Sequence, residues 1–235
     1  MYSDVFCRVY NEFGWNYYPE AFGGTLLGWL KDQGIHPRNA LDLACGTGVL
    51  CRVLQDAGIP SRGMDLSGGM IAIAREANPH IPFDVADMLT YAPGERFDLI
   101  TCTGDAVNHI PDLSDVEKLF ANVYSWLNPG GWFIFDLLDE QEISTAEPFD
   151  LEFDAHITAR FQITRPAADK VHLQTQVFED GTHTFTEDIF ETVHDRGTIL
   201  AMLSSQGFEL CKCAHRLDDG EGPEAATWFL ILRRP

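Results

Sequence analysis

The chain has 235 residues, 45% of them hydrophobic, which is enough to bury a sizeable core within one or two domains. Asp and Glu outnumber Lys and Arg by 36 to 16, a formal net charge of -20, and this excludes any long contact with nucleic acid, where basic side chains must neutralise phosphates. No apolar run is long enough to cross a bilayer, no basic and apolar leader opens the chain, and six cysteines without a C-x-x-C pair read as small buried hydrophobes, so a reducing, cytoplasmic setting is expected.

The N-terminal segment is unusually aromatic, with Tyr2, Phe6, Tyr10, Phe13, Trp15, Tyr17, Tyr18 and Phe22. Rings at helical spacing ordinarily pack a core. A helix is expected near residues 20–33, then a strand at 40–44, a helix at 48–57, a strand at 60–65, a helix at 68–77 and a strand at 81–85. Strands at 97–102 and 131–137 follow, separated by a helix at 114–127. Such alternation implies a doubly wound, mostly parallel sheet covered by helices on both faces, an α/β fold. Residues 140–194 break the pattern. Leu151 to Thr164, Val171 to Glu179 and Thr182 to Thr192 are rich in Phe, Ile, Val and Thr and are separated by turn residues, Pro166 to Asp169 and Asp180-Gly181, which predicts an antiparallel β insertion. A helix at 195–205 and a hairpin from Gly207–Arg216 and Ala226–Leu232 close the chain.

The chemistry is concentrated in the run from Ala40 to Leu50, a short apolar strand with Asp42 near its end, then a turn holding Gly46 and Gly48 before a helix. Glycines there allow positive φ and bring backbone within reach of a ligand. Asp65 ends the next strand, close to the distance at which such folds set a carboxylate on ribose hydroxyls. A dinucleotide fingerprint would require a third glycine where Cys51 stands, and Asp42 would repel a diphosphate. A ligand carrying an ammonium and a sulfonium suits the acid, which favours S-adenosylmethionine over a nicotinamide dinucleotide.

On these residues the chain resembles the class I S-adenosylmethionine-dependent methyltransferases, of the small-molecule type with an antiparallel insertion after strand five. The resemblance runs over residues 1–139 and 195–235, with 140–194 as the insertion, and implies a Rossmann-like sheet of seven strands. It implies that Asp42, Ala44, Gly46 and Gly48 hold the methionine half of the cofactor, Ala44 replacing the first glycine of the family pattern. It further implies that Asp65 binds the ribose, that Leu66 and Met70 flank the adenine, and that Asp87 and Met88 contact its amino group and face. The strand from Phe97 through Thr103 and the Leu127-Asn128-Pro129-Gly130-Gly131 turn resemble the family's fourth strand and its entry to strand five, Thr103 falling at the cofactor. By the same resemblance the N-terminal segment is a lid, with Tyr10 and Tyr18 near the methionine carboxylate and sulfonium, and the insertion is a substrate cover or homodimer contact.

Methyl transfer needs the acceptor held in line in a dry site, and a base only where the acceptor must lose a proton. His109, just after the fourth strand, is the candidate base, with Asp105 as rival, a carboxylate that could orient an amine or merely cap the next turn. The remaining histidines, among them His156, His172 and His183, show no metal-ligand spacing, so no metal is expected. Asp139-Glu140 and Asp218-Asp219 read as solvated loop charge. The expected activity is methyl transfer to a small molecule, nitrogen preferred over oxygen. A noncatalytic S-adenosylmethionine-binding or partner-binding protein is the alternative, and an NAD-dependent oxidoreductase a more distant one.

Overall fold

In the computed structural model, residues 3–140, 147–152, 155–217 and 227–235 are described; Tyr2, Asp218, Asp219 and Ala226 lie outside them, as do parts of the insertion. From the N-terminus the chain forms α1 (Asp4–Val9), α2 (Tyr17–Asp32), β1 (Ala40–Leu43), α3 (Val49–Asp56), β2 (Ser61–Asp65), α4 (Gly68–Ala77), β3 (Phe83–Val85), β4 (Phe97–Cys102), α5 (Leu113–Trp126) and β5 (Leu127–Leu138). Four further strands follow, β6 (Phe149–Glu152), β7 (Ile157–Ala167), β8 (Lys170–Glu179) and β9 (Thr182–Thr192), then α6 (Arg196–Ser205), β10 (Glu209–Ala214) and β11 (Thr227–Arg233).

The main sheet has the order β10-β11-β5-β4-β1-β2-β3, parallel except for β11, which runs antiparallel to both of its neighbours. β1 is buried along its whole length, as a central parallel strand covered on both faces should be. Helix α5 shows why the helices dock: Val116, Leu119, Phe120 and Val123 recur at helical spacing and are fully buried, with the Phe120 ring 5.5 Å from that of Phe135 on β5. Each such side chain contributes roughly 1.5–3 kcal/mol of transfer free energy.

Three elements differ from the sequence reading. Strand β5 starts at Leu127, not Gly131, because Leu127 pairs with Phe97 and the Gly130 N–H donates to the Arg234 carbonyl, so the Pro129-Gly130-Gly131 turn is folded into the strand as an irregularity. The run Leu151 to Thr164 is divided between β6 and β7, which pair with one another from Phe149↔Phe161 to Glu152↔Thr158. The aromatic N-terminus contains its own helix, α1, capped by the Ser3 hydroxyl accepting from the Phe6 N–H. Cys211 on the edge strand β10 is exposed, whereas Cys7, Cys45, Cys51 and Cys102 are buried as expected.

The second sheet has the order β6-β7-β8-β9, and Asp180 and Gly181, both at positive φ, make the tight turn between β8 and β9. It meets the rest of the molecule through the N-terminal rings: Phe13 packs with Ala159, Phe161 and Val177, while Phe6 and Cys7 pack with Met70 and Ile189. A polar stitch joins the sheets as well. Buried Asn108 donates to the Thr192 carbonyl at 2.8 Å and accepts from the Leu138 N–H at 3.1 Å. Asn108→Ala leaves both backbone groups without their partner and should lower unfolding free energy by roughly 1–3 kcal/mol in urea denaturation.

Candidate active site

The turn after β1 is built from left-handed backbone. Ala44, Gly46 and Gly48 have φ of 53°, 53° and 78°, so the loop turns sharply after β1, with the Gly46 N–H donating to Asp65 Oδ2. Gly46 lies on the cavity wall, and a Cβ there would meet no protein atom within 4 Å. Gly48 is different. It is the N-cap of α3, it is not on the cavity wall, and a Cβ would stand 2.6 Å from Cζ of Phe83 and 3.1 Å from Cβ of Ala74. Gly48 therefore serves the close approach of the loop to β3 and α4.

A cavity of about 380 Å³ opens at the carboxyl ends of β1, β2 and β4, a volume in the range of small-molecule sites and a position where open α/β sheets bind ligands. Asp42 lies at its floor, 4% exposed, with Oδ1 accepting from the Thr101 hydroxyl at 2.7 Å. Burial pushes its carboxyl up to about 7, against the Thr101 hydrogen bond, which lowers it, and with a smaller upward push from Asp65. A carboxyl raised in the folded state binds its proton more tightly there than in the unfolded chain. Its contribution to stability is full below the ordinary carboxylate range and is lost as pH rises toward 7. Asp42→Asn should flatten that part of the curve, read by urea denaturation between about pH 4 and about pH 8.

Asp65 ends β2 with both oxygens engaged. Oδ2 accepts from the Gly46 N–H at 2.9 Å and Oδ1 from the Ser67 N–H at 2.8 Å, so one carboxylate joins the glycine loop to the start of α4. Burial pushes its pKa up and these backbone bonds oppose that. Leu66, Met70, Asp87 and Met88 line the same cavity beyond it; Met70 is fully buried, Leu66 is half exposed, and Asp87 Oδ1 accepts from the Leu89 N–H at 2.8 Å.

Tyr10, Tyr18, Ala44 and Thr103 are also on the wall. Tyr10 is held in a ring cluster 6.0 Å from Phe6 and 5.2 Å from Trp15, and burial pushes its hydroxyl up to about 12 with Asp65 and Asp105 adding to it. The Tyr18 hydroxyl donates to Asp136 Oδ2 at 2.5 Å and is pushed strongly up by desolvation and by that carboxylate. The N-terminal segment is fastened over the site by two further bonds: Thr47 donates to Asn11 at 3.0 Å, and the Ser3 hydroxyl donates to Glu187 Oε2 at 2.5 Å.

His109 lines the cavity from the short 3-10 turn Ala106–His109 after β4. Its Nε2 is 3.7 Å from Glu191 Oε1 on β9, and burial holds its pKa below the usual imidazole value. Asp105, the rival base, is not on the cavity wall and makes no side-chain cap for the turn; its backbone, at φ 59°, donates to Asp136 Oδ1 at 2.9 Å. Burial, then Asp136 and Glu191, push the Asp105 carboxyl well above its ordinary range.

Asp136, Glu187 and Glu191 were not singled out from the sequence. Asp136 had a readable signal, an acid at the carboxyl end of a strand, where ligands bind in such sheets. It is fully buried and accepts from Tyr18, Gly104 and Asp105. Glu187 and Glu191 carried no signal, since pairing of distant strands alone brings β9 beside the cavity. Asp139, read as solvated, is 7% exposed with Oδ2 3.2 Å from His215 Nε2, because β5 runs further than expected and carries it inside.

Residues 40–131 match the family described as "Methyltransferase domain". Among curated relatives, a dTDP-3-amino-3,6-dideoxy-alpha-D-glucopyranose N,N-dimethyltransferase of Streptomyces fradiae is 28% identical over 55% of this chain and 50% of its own. A dTDP-4-amino-2,3,4,6-tetradeoxy-D-glucose N,N-dimethyltransferase of Saccharopolyspora spinosa is 24% identical over 80% of each. The chain spans about half the length of the first of these and of the ubiquinone biosynthesis O-methyltransferases it also matches. Among solved structures, a S-adenosylmethionine-dependent methyltransferase from Clostridium acetobutylicum superposes with a TM-score of 0.79 at 22% identity, over 90% of this chain and 89% of the other. An amino pentose methyltransferase from Micromonospora echinaspora, solved with S-adenosylmethionine bound, superposes with a TM-score of 0.76 at 20% identity, over 100% and 98%. Residues 40–131 thus match the methyltransferase-domain family, and the fold as a whole is similar to that of these solved S-adenosylmethionine-dependent methyltransferases.

Proposed function

We propose that this protein transfers a methyl group from S-adenosylmethionine to a small-molecule acceptor, an amine nitrogen in preference to an oxygen. The observation that carries the reading is Asp65, a half-buried carboxylate that ties the glycine loop to α4 at the edge of a cavity lined by Asp42, Leu66, Met70 and Asp87. This set fits the cofactor: Gly46 leaves room beside its Cα, Asp42 offers negative charge to a cationic group, Asp65 and Asp87 retain acceptor capacity for hydroxyl or amino groups, and Met70 and Leu66 offer apolar surface. When bound, the cofactor supplies an electrophilic methyl on a sulfonium. Tyr10 and Tyr18 line the cavity, and aromatic rings there suit a cation. His109, its pKa lowered by desolvation, lines the cavity and is the group that would accept the acceptor's proton. The named activities of the Streptomyces fradiae and Saccharopolyspora spinosa relatives support nitrogen as the target.

On this reading residues 1–139 and 195–235 form the cofactor-binding unit and 140–194 a substrate cover or homodimer contact. None of the described helices is long and apolar enough to cross a membrane, and a cytoplasmic site of action accompanies the proposal. Calorimetric titration with S-adenosylmethionine, S-adenosylhomocysteine and NADH tests it. Micromolar binding of both adenosyl ligands without NADH, followed by a mass gain of whole methyl groups on small amines, is the expected result. Binding without transfer to any acceptor would turn the reading to a noncatalytic binding protein, and NADH binding alone to an oxidoreductase.

A further inference from the structure

Four consecutive residues of β9, Glu187 to Phe190, line the cavity together with His109. A strand that showed the cavity one of its faces would contribute alternate residues, so β9 meets it along an edge. That edge is the free one. β9 ends the order β6-β7-β8-β9 and pairs with β8 alone, in a register that is unbroken from Thr192↔Lys170 back to Thr186↔Gln176.

The phase of the ladder decides which backbone groups this edge shows. Just past the strand the Val193 N–H donates to the Asp169 carbonyl at 2.9 Å, so the odd-numbered residues of β9 turn their N–H and C=O groups toward β8. The even-numbered residues turn theirs outward. Two of these carbonyls are already engaged: that of Thr192 accepts from Asn108 Nδ2 at 2.8 Å, and that of Phe190 accepts from the His109 ring. Asp188 is the next outward residue, about 7 Å further along the edge. Its carboxylate is held by His172 at 2.7 Å and Gln174 at 3.0 Å, but its backbone N–H and C=O have no protein partner among the described residues.

An N–H and a C=O of one residue that point the same way are met by two hydrogen bonds from a second aminoacyl unit, the pairing by which extended peptides join a sheet edge. Resting on the amine-methylation reading above, we propose that the acceptor is an α-amino amide, a peptide-type amine, that pairs with the free edge of β9 at Asp188. Its amine N–H donates to the Asp188 carbonyl, and its own carbonyl accepts from the Asp188 N–H. The Asp188 carbonyl lies on the Phe190 side of that residue, so this pairing sets the acceptor nitrogen at the end nearer His109. This departs from the Streptomyces fradiae and Saccharopolyspora spinosa relatives, which are named for dTDP-linked amino sugars.

The test is calorimetric binding to the full chain saturated with S-adenosylhomocysteine. The probes are alaninamide and alanyl-alaninamide, the amine 3-methylbutan-2-amine, which keeps the shape of alaninamide without its amide, and the methyl glycoside of 3-amino-3,6-dideoxyglucose. At least one amide should bind, about fivefold or more tighter than the amide-free amine and the amino sugar. Asp188→Pro removes the outward N–H and leaves the ladder to β8 intact, whereas Asp188→Ala removes only the side chain. The Pro variant should bind the amide about fivefold more weakly than the Ala variant, with S-adenosylhomocysteine affinity kept in both as the report that they fold. A second readout needs no variant: in amide proton spectra the Asp188 N–H should move downfield when the amide is added, while the Ile189 N–H, bonded to β8, stays in place. The proposal is overturned if neither amide binds, if the amide-free amine or the amino sugar binds as well, if folded Pro and Ala variants bind the amide equally, or if the Asp188 N–H does not move. Failure of the unmodified chain to bind S-adenosylhomocysteine would overturn the methyltransferase reading itself, whereas its binding with a preference for the amino sugar overturns this inference alone.

Discussion

Asp65→Ala should raise the dissociation constant for S-adenosylhomocysteine by about 10- to 150-fold, corresponding to the roughly 1.5–3 kcal/mol carried by hydrogen bonds to a charged group. Two losses contribute. The carboxylate no longer offers acceptors to a ribose, and the Gly46 and Ser67 N–H groups lose the anchor that joins the glycine loop to α4. Asp65→Asn separates them, since its amide keeps one acceptor oxygen but turns an N–H₂ toward one of the two backbone donors. An Asn variant that binds as weakly as the Ala variant would assign most of the effect to loop anchoring. Unchanged affinity in a folded Asp65→Ala variant would remove Asp65 from the cofactor site.

Gly48→Ala should cost stability more than affinity, by roughly 2–5 kcal/mol in urea denaturation. A residue with a Cβ at φ 78° is disfavoured by about 1–2 kcal/mol. The new methyl also stands 2.6 Å from Phe83, a ring 4% exposed within the cluster of Cys45, Cys51, Ile71 and Ala74, and overpacking of this kind costs about 1–3 kcal/mol. Phe83→Leu in the same background should restore part of the loss, because it removes the atoms that the methyl meets. Gly46→Ala provides the contrast. Its φ is also positive, but no protein atom lies within 4 Å of the added Cβ, so its stability cost should be the conformational part alone and its main effect a weaker cofactor affinity. Equal stability losses in the two variants would overturn the distinction between a packing glycine and a ligand-side glycine.

The parts of the site that were legible in the sequence are those that lie close together along it. The β1 strand, the glycine turn and α3 are contiguous, and Asp65 follows at the end of the next strand, so spacing alone carries the expectation of a nucleotide-type site there. His109 was legible for the same reason, as a polar residue just beyond a strand that had to be central. The roles of neighbours within this run were less so. Gly46 and Gly48 are two residues apart and alike in chemistry, and only the position of Phe83 on β3 separates them.

What local sequence determines here is therefore the alternation of elements, from apolar periodicity and turn residues, and the placement of Asp42, Gly46 and Asp65 at the carboxyl ends of β1 and β2. Tertiary structure decided the rest. It divided Leu151 to Thr164 into two strands, carried Asp139 inside, and brought Glu187 and Glu191 of β9 against the N-terminal helix and His109, partners separated by more than eighty residues of chain. The physical reason is that burial and charge depend on which surfaces meet. A carboxylate on an alternating strand reads as solvent-facing until a second sheet and an aromatic helix close over it, and only then do its pKa, its partners and its chemistry exist.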